Sequence, residues 1–336
     1  MKTMMTVTAL AVMAWMTLGC ECRTSAPPEK ATTPGPTTSA PVVQEEQYRF
    51  GFIIYGSQGN PFWTKVVAGV EEACDKLGCK ASIQYAQNDP IKQNNIAEMM
   101  IAKKVDGIAL CLSNSDSYDK VVQEAIDLGM AVVAFNIDDV ELAEGNARMA
   151  YIGQDMTEAG DTIAQRLIDD GGLKSGDHVV CPVESPEAVY AVQRYAGAKR
   201  AFDRAGITSE KIKTGTESLD KTLNRIKQYL LAHPETDAIL GMGGMPLQMA
   251  PSAADDMDLD LPIAGFDISK VIAEDVKTGR IIATVDQQPF YQGFMAIMQM
   301  YYNRKYGLLP CDVNTGGGLV DQGNIDKVIE LSDTVR

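Results

Sequence analysis

From Tyr48 onward the chain alternates short apolar runs with segments whose apolar residues recur at helical spacing, and this alternation narrows the possible folds sharply. The run at 48–55 reads as a buried strand. After a polar loop, Phe62, Val66, Val67, Val70, Ala73 and Leu77 mark one face of a helix over 61–77. A second strand at 81–86 ends in Gln87-Asn88-Asp89-Pro90, where Asp89 is placed to cap a helix with Pro90 in its first turn. Strands at 107–112 and 131–135 follow, with a helix near 118–128 between them. Four such repeats predict an α/β fold with a parallel, doubly wound sheet covered by helices on both faces.

Near Ala150 the pattern restarts. Strands are expected at 149–152, 178–183, 212–215, 238–241, 263–266 and 281–285, and helices at 155–169, 186–205, 219–233, 245–256 and 269–278. A long helix over 289–306, rich in methionine and aromatics, reads as core packing. Two similar α/β halves in succession predict two lobes with a cleft between them, a frequent place for small-molecule sites. Within the first half, the loop Tyr55-Gly56-Ser57-Gln58-Gly59-Asn60-Pro61-Phe62-Trp63 stands at the carboxyl end of a strand, where open α/β sheets bind ligands. Phe62 and Trp63 either stack on a flat ligand face or pack their helix onto the sheet; both readings stay open.

Several function classes are disfavoured. A net charge of −15 argues against nucleic acid as a partner, because phosphate contacts need basic surface. The two histidines, His178 and His233, stand at a strand start and before a proline, and no phosphate loop, metal box or nucleophile elbow is visible. Binding without catalysis, without a cofactor and without a metal is the expectation. No apolar run of membrane-spanning length follows residue 19.

The start of the chain reads as an address. Lys2, the apolar stretch 4–18 and Gly19-Cys20 resemble a bacterial lipoprotein signal, with 1–19 removed and Cys20 lipidated; Thr17 departs from the usual leucine, and an ordinary secretory signal is the alternative. Residues 20–47 are rich in Pro and Thr and read as a disordered tether. Cys74 and Cys79, five apart at the end of the first helix, suit either a disulfide or two unpaired core thiols, whereas Cys111 and Cys181 fall in apolar strands.

Gly51-Phe52-Ile53-Ile54 before Asn60-Pro61-Phe62-Trp63, then Gln87-Asn88-Asp89, Asp106-Gly107-Ile108, Gly265-Phe266-Asp267 and Ala283-Thr284-Val285-Asp286-Gln287 come in an order and spacing that resembles one family. It is the periplasmic sugar-binding proteins of the ribose/galactose type, receptors that feed ABC importers, and the resemblance spans about 48–331. It implies three hinge crossings, near 152–154, 286–288 and 311–316, and a ligand clamped by domain closure. The first lobe would then comprise 48–152 plus 288–311 and the second 153–287 plus 312–336. It also implies a monomer that serves a membrane permease, and with the lipoprotein-like leader the expected place is the periplasm or the outer face of a bacterial membrane, held by lipid on Cys20.

By the same resemblance, Asn60, Phe62 and Trp63 form one ligand wall, Arg194 reaches the ligand ring, Asp267 accepts from paired hydroxyls and Gln287 binds at the hinge; Gln58 joins the candidates from the loop itself, as an amide beside the two aromatics that could hydrogen-bond a ligand's edge. Three departures follow. The family's Asp-Arg pair after the fourth strand reads Asn136-Ile137-Asp138 here, and Asn136 and Asp138 become the candidates for a polyol or modified sugar. A family asparagine is replaced around Gly243-Gly244, with Met242 and Met245 beside it, and a second stacking aromatic becomes Glu217. The implied ligand is a small neutral monosaccharide, polyol or modified sugar. A less polar, lipid-like ligand and a receptor that signals rather than imports are the alternatives.

Overall fold

The structure is a computed structural model that describes residues 47–113, 117–139 and 147–331. The expected leader, the expected lipidation site Cys20 and all but the last residue of the expected tether lie outside the described residues, as do 332–336 of the expected second lobe.

The first half runs β1 (Arg49–Ile54), α1 (Pro61–Leu77), β2 (Lys80–Tyr85), α2 (Pro90–Ala102), β3 (Gly107–Leu110), α3 (Asp119–Asp127), β4 (Ala131–Phe135) and β5 (Ala150–Gly153). The second runs α4 (Met156–Gly171), β6 (His178–Val183), α5 (Val189–Ala205), β7 (Thr208–Lys213), α6 (Leu219–Ala232), β8 (Ala238–Gly241), α7 (Gly244–Asp255), β9 (Ile263–Phe266), α8 (Lys270–Thr278) and β10 (Thr284–Val285). Then come α9 (Pro289–Tyr306), β11 (Val313–Asn314), β12 (Leu319–Val320) and α10 (Ile325–Leu331). Two six-stranded sheets result, ordered β2-β1-β3-β4-β5-β11 and β7-β6-β8-β9-β10-β12. All pairings are parallel except that of β12 with β10.

Each sheet is buried on both faces, as continuous apolar strands require. Phe50, Phe52 and Ile54 pack on one face of the first sheet with α1 and α9, while Ile53 points to the other, against α2 and α3. Val179, Cys181 and Val183 pack with α4 and α5 in the second lobe, and Val180 joins the opposite layer with α6 and α7. Helix starts follow their caps: Asp89 Oδ1 accepts from the N–H groups of Ile91 (2.9 Å) and Lys92 (3.1 Å), with Pro90 in the first turn.

In each lobe one helix pair packs backbone against backbone. A Cβ on Gly69 of α1 would come within 2.0 Å of Phe290 O on α9, and one on Gly293 of α9 within 2.1 Å of Val66 O. Gly160 of α4 and Gly197 of α5 repeat the device, at 2.0 Å from Arg194 O and 1.9 Å from Thr157 O. Glycine here is a matter of space, not of backbone freedom.

The chain crosses between the sheets after β5, after β10 and between β11 and β12. The third crossing departs from the expected division at 311/312. Val313 and Asn314 pair with Ile152 and Gly153 in the first sheet, and only from β12 does the chain join the second. A two-residue strand carries no periodicity; its place is set by main-chain bonds such as Thr315 N–H to Gly153 O (2.8 Å). Likewise β7 begins at Thr208, earlier than the expected 212. It is a polar edge strand with alternating exposure, so its apolar signal is weak. No helix among the described residues is long and apolar enough to cross a membrane.

Gly293→Ala is expected to destabilise the protein by about 1–3 kcal/mol through overpacking, read as a lower urea midpoint at unchanged slope. Gly318→Ala, where an added Cβ meets nothing within 4 Å, is the control and should stay within about 0.5 kcal/mol.

Candidate functional site

The segment that follows β1 faces those that follow β6, β8 and β9 across a cleft of ≈ 560 Å³. Asn60, Phe62 and Lys65 line it from the first lobe; Glu184, Tyr190, Met245, Gln248 and Asp267 line it from the second, with Gln287 at the hinge. The cleft loop splits its two aromatics between the two readings of the sequence. Phe62 lies on the cleft wall, with Trp63 edge-on to it at 4.9 Å and 88°. Trp63 turns toward the sheet, edge-on to Phe135 at 6.3 Å, and covers Gly56, where a Cβ would come 1.8 Å from the indole nitrogen. Asn60 caps α1, its Oδ1 accepting from Phe62 N–H at 2.9 Å.

Beneath the opposite wall lies Arg194, only 1% exposed. Its Nη2 approaches Asp267 Oδ1 at 3.5 Å, its Nε donates to Gln154 Oε1 (3.1 Å) and its Nη1 to Met242 O (2.9 Å). The guanidinium also lies 4.1 Å from the ring centroid of Phe266 and 5.3 Å from that of Tyr190. Asp267 in turn accepts from Gln287 Nε2 at 2.7 Å. Gln287 Oε1 accepts from Asn136 Nδ2 at 3.5 Å, and Asn136 Nδ2 also donates to Gln292 Oε1 at 3.3 Å. A continuous polar chain therefore runs from the first lobe through the hinge to the second. Asn136 (φ 63°), Asp267 (φ 75°) and Gln288 (φ 54°) all hold left-handed backbone here, a conformation costing roughly 1–2 kcal/mol for a non-glycine residue and less for Asn or Asp. Such strain collects where chain direction is dictated by a site.

Glu184, just past β6, is the residue that periodicity could not single out. α7 starts without a side-chain cap of its own, and Glu184 supplies one from outside: Oε1 accepts from Met245 N–H (3.2 Å) and Oε2 from Tyr190 Oη–H (3.1 Å). Burial pushes its carboxyl above the ordinary 4.5, and the nearby Asp267 adds to the rise. Gly243 makes room for it, since a Cβ there would come 2.2 Å from Glu184 Oε2. The one sequence signal for Glu184 was its position, the first charged residue after an apolar strand.

Of the candidates named from sequence, Asn60, Phe62, Asp267 and Gln287 come together on the cleft. Arg194 does not reach the cavity wall; its N–H groups are engaged below it, and it braces Asp267 instead. Asn136 is 7% exposed and works through Gln287. Gln58 sits exposed in the turn before Asn60 and off the cleft wall. Asp138 is held by Arg148, which also reaches Asp312 at 3.3 Å, and it opens onto a separate cavity of ≈ 270 Å³ at the hinge edge. Met242 is fully buried in the second core, so Met245 alone brings methionine to the wall. Glu217 pairs with Arg225 (2.9 Å), which holds its carboxyl down to about 2, and Thr216 lines the cleft beside it. Tyr190 is the aromatic that the second lobe does present.

The model of the periplasmic binding protein domain matches residues 50–305. The chain belongs to this family. A xylose/arabinose-binding protein of Sulfolobus acidocaldarius is 23% identical over 289 residues, covering 81% of this chain and 71% of that protein. A D-ribose/D-allose-binding protein of Pseudomonas aeruginosa is 28% identical over 243 residues, covering 70% of this chain and 76% of its own. The crystal structure of a carbohydrate transporter from Acidothermus cellulolyticus in complex with myo-inositol superposes with a TM-score of 0.73 at 24% identity, over 85% of this chain and 98% of that one. This last likeness concerns the fold.

In this binding protein the raised Glu184 carboxyl has a definite consequence for pH. The folded state binds the proton more readily than the unfolded chain, so stability should rise as pH falls from neutral through the raised pKa toward 4.5. Glu184→Gln is expected to melt higher than wild type at neutral pH, with the gap closing on acidification. Parallel melting curves across that pH range would rule the buried-carboxylate account out.

Proposed function

We propose that this periplasmic binding protein is the substrate-binding receptor of an ABC importer, taking a monosaccharide, polyol or modified sugar into the interlobe cleft and closing its lobes upon it. The observation that carries the reading is the pairing of Phe62 on one wall with Asp267 and Gln287 opposite. A sugar ring has an apolar C–H face and a rim of hydroxyls. An aromatic suits the face, and a carboxylate held by Arg194 and Gln287 suits adjacent hydroxyl donors. The cavity volume falls within the roughly 300–1,000 Å³ of small-molecule sites. The relatives named for xylose, arabinose, ribose and allose support the same ligand class.

In this reading Asn60 offers its amide nitrogen, because its oxygen caps α1. Asp267 offers its Oδ2, since Oδ1 is the atom that accepts from Gln287 and pairs with Arg194. Trp63, Asn136, Arg194 and Gly243 hold the wall without touching the ligand. A protein of this kind works as a monomer that presents its closed form to a membrane permease, held at the membrane by lipid on Cys20. Transfer of the ligand, not its chemical change, is the activity.

Trp63, the one tryptophan among the described residues, is in contact with Phe62 and should report ligand binding by fluorescence. A panel of pentoses, hexoses and inositols is expected to yield at least one compound that shifts both Trp63 emission and melting temperature. For that compound Asp267→Ala should weaken affinity about 10–100-fold, the loss of one hydrogen bond to a charged group. Gln58→Ala should leave it unchanged. Unaltered affinity in Asp267→Ala would remove this cleft as the site.

A further inference from the structure

Helix α1 ends in a defined stop. Gly78 holds left-handed backbone (φ 69°, ψ 29°), and the N–H groups of Gly78 and Cys79 both turn back to Cys74 O, that of Cys79 at 3.1 Å. A six-residue bond across a left-handed glycine is the Schellman motif, which brings the residue after the glycine against the residue that accepts its bond. Hydrophobic side chains usually fill this contact. Here both positions are cysteine. Cys74 and Cys79 are 9% and 6% exposed, lie in the same core layer as Val70 and Ala73, and both carry free thiols in this structure. Two residues tied by this backbone bond have Cα atoms within the roughly 4.4–6.8 Å that a disulfide spans.

We propose that Cys74 and Cys79 are joined by a disulfide in the exported protein, a covalent staple between the end of α1 and the start of β2. The proposal draws on the periplasmic placement of the family, an oxidising compartment in which such bonds persist, and is independent of which ligand the cleft takes.

The bond forms by exchange with a donor disulfide of a thiol oxidoreductase. A hydrogen bond between the two thiols holds Cys79 below the ordinary thiol range, while the same bond and burial push Cys74 up. One cysteine of the pair, as its thiolate, attacks one sulfur of the donor and releases the first donor thiolate. The other cysteine then loses its proton to solvent and attacks the sulfur of the first, displacing the second donor thiolate. The chain gives up two hydrogens, and the donor disulfide is reduced to two thiols. Exchange takes place during folding, before the pair is buried in the core.

The other described cysteines lack this arrangement. Cys111 and Cys181 sit in the cores of different lobes, each fully buried, and burial pushes the thiol of Cys111 up to about 12 and that of Cys181 higher still. Cys311 is exposed. The staple also has a structural logic. α1 carries Asn60 and Phe62 at its other end, so fixing its last turn to β2 helps hold that wall of the cleft in register.

The test uses the full chain exported to an oxidising compartment, denatured in iodoacetamide without reductant and cut with trypsin. Cleavage at Lys65, Lys76 and Lys80 puts the two cysteines on separate peptides, 66–76 and 77–80. The expected product is the two peptides linked, lighter than their sum by two hydrogens, about 2 Da, and separating on reduction. Reductant should also lower the melting temperature of wild type by a few degrees and leave that of Cys74→Ala unmoved. Recovery of both peptides alkylated without reduction, or a link from either one to a different cysteine, would overturn the proposal.

Discussion

The site depends on one buried cation. A guanidinium that is 1% exposed in a core of aliphatic and aromatic side chains is tolerated only if its charge and N–H groups are matched. Arg194 finds a carboxylate in Asp267, an amide oxygen in Gln154, a main-chain carbonyl in Met242 and the face of Phe266. These partners come from the first crossing, from the end of β8 and from the end of β9. One side chain thus ties together three pieces of chain that are far apart in sequence. It also sets Asp267: with Oδ1 engaged by Arg194 and Gln287, the carboxylate is held in one orientation toward the cleft.

The network extends across the hinge because Gln287 has two ends. Its amide nitrogen donates to the second lobe and its amide oxygen accepts from Asn136 of the first. Its carbonyl accepts from Gln292 and from Thr315 Oγ1, which joins the second crossing to the third. The lobes themselves are stiffened by helix pairs, α1 with α9 and α4 with α5, whose backbones touch at glycines. Tightly packed halves joined by a polar seam are what the proposed closure of two bodies requires.

Much of this was legible in order along the chain. Apolar runs of strand length, Asp89-Pro90 and Asn60-Pro61 as helix starts, and the restart near Ala150 all express local physics: alternation of side chains along a strand, and satisfaction of the first N–H groups of a helix. What failed locally failed for reasons of range. β7 is polar because it is an edge, and β11 is two residues long and belongs to the first sheet only through its bonds to β5. Phe62 and Trp63 are adjacent and chemically alike, yet one faces the cleft and the other packs on Phe135. Arg194 reads as an ordinary charge on a helix until Met242, Gln154 and Asp267 are brought around it.

The sequence by itself determined that there are two α/β lobes, that a cleft loop carries Asn60 and Phe62, and that Asp267 and Gln287 stand at strand ends, because these follow from periodicity, capping and order. Tertiary structure alone decided which side chains share the cleft. It put Glu184 and Tyr190 on the second wall, drew Arg194 behind it and Asn136 into the hinge network, and turned Asp138 aside to Arg148. Those outcomes depend on pairing donors with acceptors contributed by distant segments, and no local pattern records which partners a buried polar group will meet.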